Sequence, residues 1–130
     1  MKSYAIVNRK MFPIVTVTFT GEKATAENFR QYLYELFLSY NERKPFSIIY
    51  SATNKFTFPI PSNKFQQEQI DWMESHEKLI KKYCHSVVYV TSSIVTKTFL
   101  KIFLYFQEHP VQYKVVDSIQ DGKNWIKEQL

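Results

Sequence analysis

The sequence predicts an α/β fold: a (βα)n superhelix with a mostly parallel five-stranded sheet and its helices mainly on one face. Three observations predict it. Segments whose apolar residues recur every two positions alternate with segments of helical period, and the connections between them are short. Val87-Val88-Tyr89-Val90 is a nearly continuous apolar run, typical of a central parallel strand buried on both faces. Strands that alternate with helices imply right-handed crossovers, and so a largely parallel sheet with sequential strand order. The chain has 130 residues, 45% of them hydrophobic and 17% aromatic. That is enough apolar surface for one core without a disulfide or metal, and it excludes a fibre, a linker and a disulfide scaffold. A single domain spanning 1–130 is expected.

The elements follow from period and punctuation. Ser3 to Arg9 and Ile14 to Thr20 are β-rich runs joined by the tight connection Lys10-Met11-Phe12-Pro13. Gly21 ends the second run. Thr25 then caps a helix to Tyr40, on which Phe29, Leu33, Leu36, Phe37 and Tyr40 form one stripe. The Lys44-Pro45 pair stops it, and Phe46 to Ala52 is a strand. After a loop from Thr53 to Pro61, Ser62 is placed to cap one long helix to Tyr83, with Phe65, Trp72, Met73, His76, Leu79, Ile80 and Tyr83 inward. Ser86 to Ser92 is the core strand. Ser93 opens a helix to Gln107 whose stripe is Phe99, Ile102, Phe103 and Phe106, and Glu108-His109-Pro110 breaks it. Gln112 to Asp117 is the last strand. Ser118, with Asp121 three residues on, reads as a capping box opening the final helix.

The strand faces are unequal. Thr16, Thr18, Ser47, Ser51, Tyr89, Thr91 and Lys114 are more polar than their alternates Val15, Val17, Phe46, Ile48, Val88, Val90 and Val115. With all helices on the apolar side, the other side of the sheet is expected to be half wet.

Charge and cysteine usage narrow the function classes. The net charge is +5, but fourteen of the 17 basic residues are lysines scattered along the chain, and arginine occurs only at Arg9, Arg30 and Arg43. Such lysines read as solvated faces, so no nucleic-acid partner is expected. The longest greasy segment, Phe99 to Phe106, is interrupted by Lys101 and falls short of the roughly 20 residues a bilayer requires. No stable membrane insertion is expected. The first residues contain an apolar stretch broken at Asn8, too short for a signal peptide, and the lone Cys84 has no disulfide partner, which together point to the cytoplasm.

The chemistry-bearing candidates gather where strand C-termini meet helix N-termini, an edge that favours anions and polar ligands. Ser51, Thr53, Asn54, Ser62, Ser92, Ser93 and Lys97 are the ligand or phosphosite candidates there, with Lys55 and Ser118 beside them. Their competing role is helix capping, which serines at such positions commonly serve. His76, four residues after Trp72 and four before Ile80, reads as a satisfied histidine at the core rim. His85 and His109 have no partners at metal-ligand spacing, so no metal or cofactor is expected. Cys84, at a helix C-terminus, has the wrong dipole for a thiolate nucleophile, and two glycines cannot make a phosphate-binding loop. No catalytic residue is assigned. Leu100, Leu104 and Tyr105 broaden the apolar face of the helix after the core strand, and are the candidates for a protein interface.

Four β-α units after a leading hairpin strand resemble, over nearly the whole chain, the STAS fold of sulfate transporters and anti-sigma-factor antagonists, and its relatives in the CRAL-TRIO lipid-binding group. Locally, His109-Pro110-Val111-Gln112-Tyr113-Lys114-Val115-Val116-Asp117, followed by Gly122, Trp125 and Ile126, resembles the ending of small bacterial STAS-like proteins. Signalling members carry a phosphorylated serine in an Asp-Ser-Ser-Gly motif after the third strand. The corresponding stretch here, Ser51-Ala52-Thr53-Asn54, departs from that motif. The resemblance implies a non-enzymatic regulatory or protein-interaction domain that binds another protein; beside it, the half-wet sheet face or the outer side of the helix after the core strand is expected to join two copies of the chain as a homodimer. The CRAL-TRIO relatives imply the alternative of a small apolar or lipid-like ligand lined by Phe99, Phe103 and Phe106.

Overall fold

A computed structural model describes residues 1–52, 62–94, 96–98, 100 and 111–129. Five strands, β1 (Ala5–Asn8), β2 (Ile14–Phe19), β3 (Phe46–Ala52), β4 (Cys84–Val90) and β5 (Gln112–Val116), form one sheet in sequential order. β1 pairs antiparallel with β2 across the Lys10–Pro13 connection, which holds a cis peptide bond between Phe12 and Pro13. The other three pairings are parallel. The expected strand order and directions are therefore borne out.

Helices α1 (Ala26–Leu38), α2 (Asn63–Ser75) and α3 (Glu77–Tyr83) lie on one face, and α4 (Ile119–Glu128) lies on the other. Right-handed crossovers between sequential parallel strands return each helix to the same side, which gathers Phe29, Leu36, Phe65, Trp72 and Ile80 over Val15, Val17, Ile48 and Val87. Among the described residues no strand follows α4, so no crossover sets its side. It packs on β3, β4 and β5 instead, closing Ile49, Val88, Val116 and Ile126 into a second core. The expectation of helices mainly on one face holds for α1–α3 and fails for α4.

Two further expectations are corrected. The helix running from Ser62 to Tyr83 is interrupted at His76, whose φ of −114° and ψ of 19° leave the helical region. The Ser75 hydroxyl donates to the carbonyls of Asp71 at 2.8 Å and Trp72 at 3.1 Å, and His76 Nδ1 lies 2.8 Å from the same Trp72 oxygen. Side chains that crowd the carbonyls of the preceding turn bend a helix. Second, Tyr89 belongs to the α1–α3 side: Tyr50 is its register partner, and its ring stacks on Tyr50 at 5.4 Å. Thr91 is buried as well. Because β4 is apolar on both sides, its period could not tell which alternate faced which helix layer. The strand also starts at Cys84, two residues before the expected Ser86, because Cys84 pairs with Phe46 directly after α3 ends.

Gly122 lets α4 approach the sheet. A Cβ built there would stand 2.8 Å from Val88 Cγ1, and Val88 is wholly buried between two strands. Gly122→Ala is therefore expected to lower stability by about 1–3 kcal/mol of overpacking, in spite of alanine's better helix propensity. In the Gly122→Ala/Val88→Ala pair, chemical denaturation should show a loss smaller than the sum of the single losses.

Candidate functional site

The edge formed by strand C-termini and helix N-termini is occupied largely by the chain's own caps. Thr25 and Asn28 make a reciprocal capping box at α1, with Thr25 Oγ1 accepting from Asn28 N at 3.1 Å and Asn28 Oδ1 from Thr25 N at 2.7 Å. Ser93 Oγ accepts from Thr96 N at 3.2 Å, opening the helical turn that holds residues 94, 96–98 and 100. Ser118 Oγ accepts from Asp121 N at 3.1 Å at the start of α4. Ser62 stands at the N-cap position of α2, where its carbonyl accepts from Gln66, but its exposed side chain makes no capping hydrogen bond. Its capping role is thus carried by the backbone alone, with φ −59° and ψ 161°.

The remaining described candidates have separate roles. Ser51 is buried on β3 as the register partner of Thr18, whereas Ser92 is exposed. Lys97 forms an ion pair with Asp117 across the β4–β5 crossover. Leu100 is buried, which corrects its assignment to an outward interface. Thr53, Asn54, Lys55, Leu104 and Tyr105 lie outside the described residues, as do Phe99, Phe103 and Phe106.

What the edge does bring together is aromatic. Phe19 of β2, Tyr50 of β3 and Tyr89 of β4 stack side by side at 5.8 and 5.4 Å, each pair 10° from parallel, and Tyr113 of β5 meets Tyr89 edge-on at 6.4 Å. Tyr32 reaches down from α1, its hydroxyl 3.4 Å from that of Tyr50, and Tyr4 packs edge-on against Phe19, Phe29 and Tyr32. Burial holds the phenols of Tyr4, Tyr32, Tyr40, Tyr50 and Tyr89 above the ordinary tyrosine range. Burial likewise pushes the Cys84 thiol up to about 12, against smaller opposing effects from the Tyr40 hydroxyl and the Ser86 backbone. At neutral pH these groups are uncharged, and a buried, protonated thiol is poorly suited to act as a nucleophile.

A second feature lies on the outside of the helix layer. α1 and α2 run side by side in the same direction, with Phe29 against Phe65 at 5.0 Å near their starts and Phe37 against His76 at 5.3 Å near their ends. Between them is an open groove of about 460 Å³, lined by Arg30, Leu33, Tyr34 and Phe37 from α1 and by Glu68, Asp71, Trp72 and Ser75 from α2. Arg30 Nε donates to Glu68 Oε1 at 3.0 Å across the groove. His76 is stacked on Trp72 at 4.6 Å, a half-buried and hydrogen-bonded histidine at the core rim, as expected. Sequence reasoning missed the groove. Its signal was present as the same spacing of i, i+3, i+4 and i+7 on both helices, at 30/33/34/37 and 68/71/72/75.

No protein-family model, curated protein or solved structure matches this chain. Among the described residues no cluster of histidine, cysteine, aspartate and glutamate could hold a metal ion, and no helix is long and apolar enough to cross a membrane.

Two predictions follow from the caps and the tyrosines. Thr25→Ala is expected to cost about 1 kcal/mol, whereas Ser62→Ala should cost no more than a few tenths, since it removes no capping bond. Thermal melts of the two variants compare them directly. The raised phenols remain protonated in the folded chain at a pH where the unfolded chain's tyrosines ionise, so stability from this source is fully present below a pH of about 10 and is lost above it. Absorbance titration near 295 nm should show the buried phenols ionising only together with unfolding; reversible ionisation of every tyrosine with the far-UV spectrum intact would contradict the burial.

Proposed function

We propose that this chain is a cytoplasmic, non-enzymatic protein-interaction domain of STAS-like type, and that one partner is a second copy of itself. One observation carries the reading. On the sheet face opposite α1–α3, α4 packs on β3, β4 and β5, and the β1–β2 half of that face presents Ile6, Asn8, Thr16 and Thr18, with half-buried Ile14 packed against the α4 core beside them. Ile6 is 54% exposed, and Thr16 and Thr18 are partly exposed. The patch holds no charged side chain, although 22% of the sequence is charged. Depletion of charge at the centre of an exposed β-branched patch is the composition of an interface core, where a merely solvated strand face would carry lysine or glutamate.

The same patch on two copies makes a two-fold arrangement the simplest closed one. The neutral state of the tyrosine cluster and of Cys84 supports binding over covalent chemistry. Of the two surfaces the sequence offers for self-association, the sheet face and the outer side of the helix after β4, this observation favours the sheet face.

Sedimentation velocity from micromolar to tens of micromolar chain is the test. The expected result is a concentration-dependent dimer that Ile6→Glu abolishes while the circular dichroism spectrum is unchanged, because Ile6 is exposed. A 15.6 kDa species at every concentration rejects self-association.

A further inference from the structure

We propose that the groove between α1 and α2 docks a short amphipathic helix with a basic polar face, contributed by a partner protein. The surface is separate from the bare sheet half: it lies on the opposite side of the sheet, outside the first helix layer.

Shape is the first argument. Each wall is one helical stripe with i, i+3, i+4 and i+7 spacing, and the two helices run in the same direction. A third helix laid along such a trough meets ridges on both sides, which is how helices pack and how helix-in-groove recognition works. The floor is apolar, from buried Leu33 and half-buried Phe37 and Trp72, while Tyr34 stands 56% exposed at the lip. Tyrosine, tryptophan and arginine are the side chains that dominate binding energy at protein interfaces.

Charge selects the occupant. α1 and α2 together carry five carboxylates, Glu27, Glu35, Glu68, Asp71 and Glu74, against Arg30 and Lys64. The rest of the chain carries fifteen basic residues against seven acidic ones. In the groove itself Glu68 and Asp71 outnumber Arg30, so its lining is net acidic on a basic protein. Within the groove Arg30 is engaged by Glu68, and the carboxylate of Asp71, which among the described residues accepts from neutral Gln67 at 2.9 Å, is placed to meet a cation. An apolar trough with a net negative rim is complementary to a helix whose apolar stripe is flanked by lysine or arginine, and it repels an acidic helix or an anionic membrane surface.

The test is fluorescence anisotropy of the full chain with a labelled model helix of about 15 residues, long enough for four turns. Leucines occupy i, i+3, i+4 and i+7 and lysines the other positions. A glutamate-for-lysine counterpart and a leucine-scrambled lysine peptide are the controls. At about 0.15 M salt the lysine helix is expected to bind at least about tenfold more tightly than either control, and Asp71→Lys should remove at least about tenfold of that affinity. Binding should change tryptophan emission in the Trp125→Phe chain and not in the Trp72→Phe chain. Failure of the lysine helix to bind, equal binding of the three peptides, insensitivity to Asp71→Lys, or an emission change that follows Trp125 overturns the proposal. A loss of self-association in Asp71→Lys, measured by sedimentation, overturns it in favour of a second copy as the occupant. Because Asp71 is exposed, that variant is expected to keep the wild-type melting temperature, and Asp71→Asn gives the same test with a smaller change.

Discussion

The register between β3 and β4 is the constraint on which the rest of the structure depends. It aligns Ile48 with Val87, Ile49 with Val88 and Tyr50 with Tyr89 in the central strand and its neighbour. Alternate positions then serve two different cores, one beneath α1–α3 and one beneath α4. A slip of one residue would turn every one of these side chains to the wrong layer. The irregularity between Phe46 and Ser47 helps to fix the register: it pairs Phe46 with Cys84 and Ser47 with Ser86, passing over His85. The hydroxyls of Ser47 and Ser86 then meet at 2.7 Å, so two buried polar groups satisfy each other where either alone would be costly.

The same register builds the aromatic row. Large rings at equivalent heights on adjacent parallel strands fall side by side, as the register partners Tyr50 and Tyr89 do, while Phe19, two residues beyond Tyr50's partner Val17 and on the same face, also stacks on Tyr50. Phe19 and Tyr50 are close to the strand ends, where open α/β sheets commonly receive ligands. Here they are engaged from above by α1 through Tyr32, and Tyr4 closes the outer side. The Thr25, Ser93 and Ser118 side chains satisfy backbone donors at the neighbouring helix starts. This organisation directs interest away from the strand-end edge among the described residues and toward the two outer surfaces of the layered fold.

The strand order and the parallel pairings were legible in the sequence because alternation and short connections leave few topologies open. Thr25 and Ser118 were legible as caps because residue type and position coincide. Ser62 was not, since residue type does not specify a rotamer, and its side chain turns to solvent. The break at His76 was hidden for a related reason: Trp72, His76 and Ile80 keep helical spacing on either side, and the backbone bonds from His76 N to Trp72 O and from Ile80 N to His76 O persist through the bend. The bend arises from side-chain competition for carbonyls, which apolar period does not record. The side taken by α4 was illegible because the handedness rule governs crossovers, and no parallel strand follows α4 among the described residues. Gly122 marks where the backbone of α4 comes close to the sheet, but a glycine does not say on which face.

Neither outer surface is explained by the needs of the fold. The Arg30–Glu68 pair has side chains 67% and 26% exposed, and a pair so placed contributes about 0–1 kcal/mol to stability. Trp72 could hold α2 to α1 with its buried edge alone, yet part of its ring also lines the open groove. On the far side, Ile6 contributes little packing at 54% exposure, and a charged residue there would protect the outer strand from edge association. Apolar area left in water without a stabilising return is the physical signature of a surface whose partner is elsewhere. The two patches differ in kind: one is flat, β-branched and uncharged, the other a helical trough with an acidic rim. A flat uncharged face accommodates its own two-fold copy without bringing like charges together. An acidic trough does not, because its twin would set carboxylate against carboxylate, so under the two proposals the difference in charge suits the surfaces to different partners.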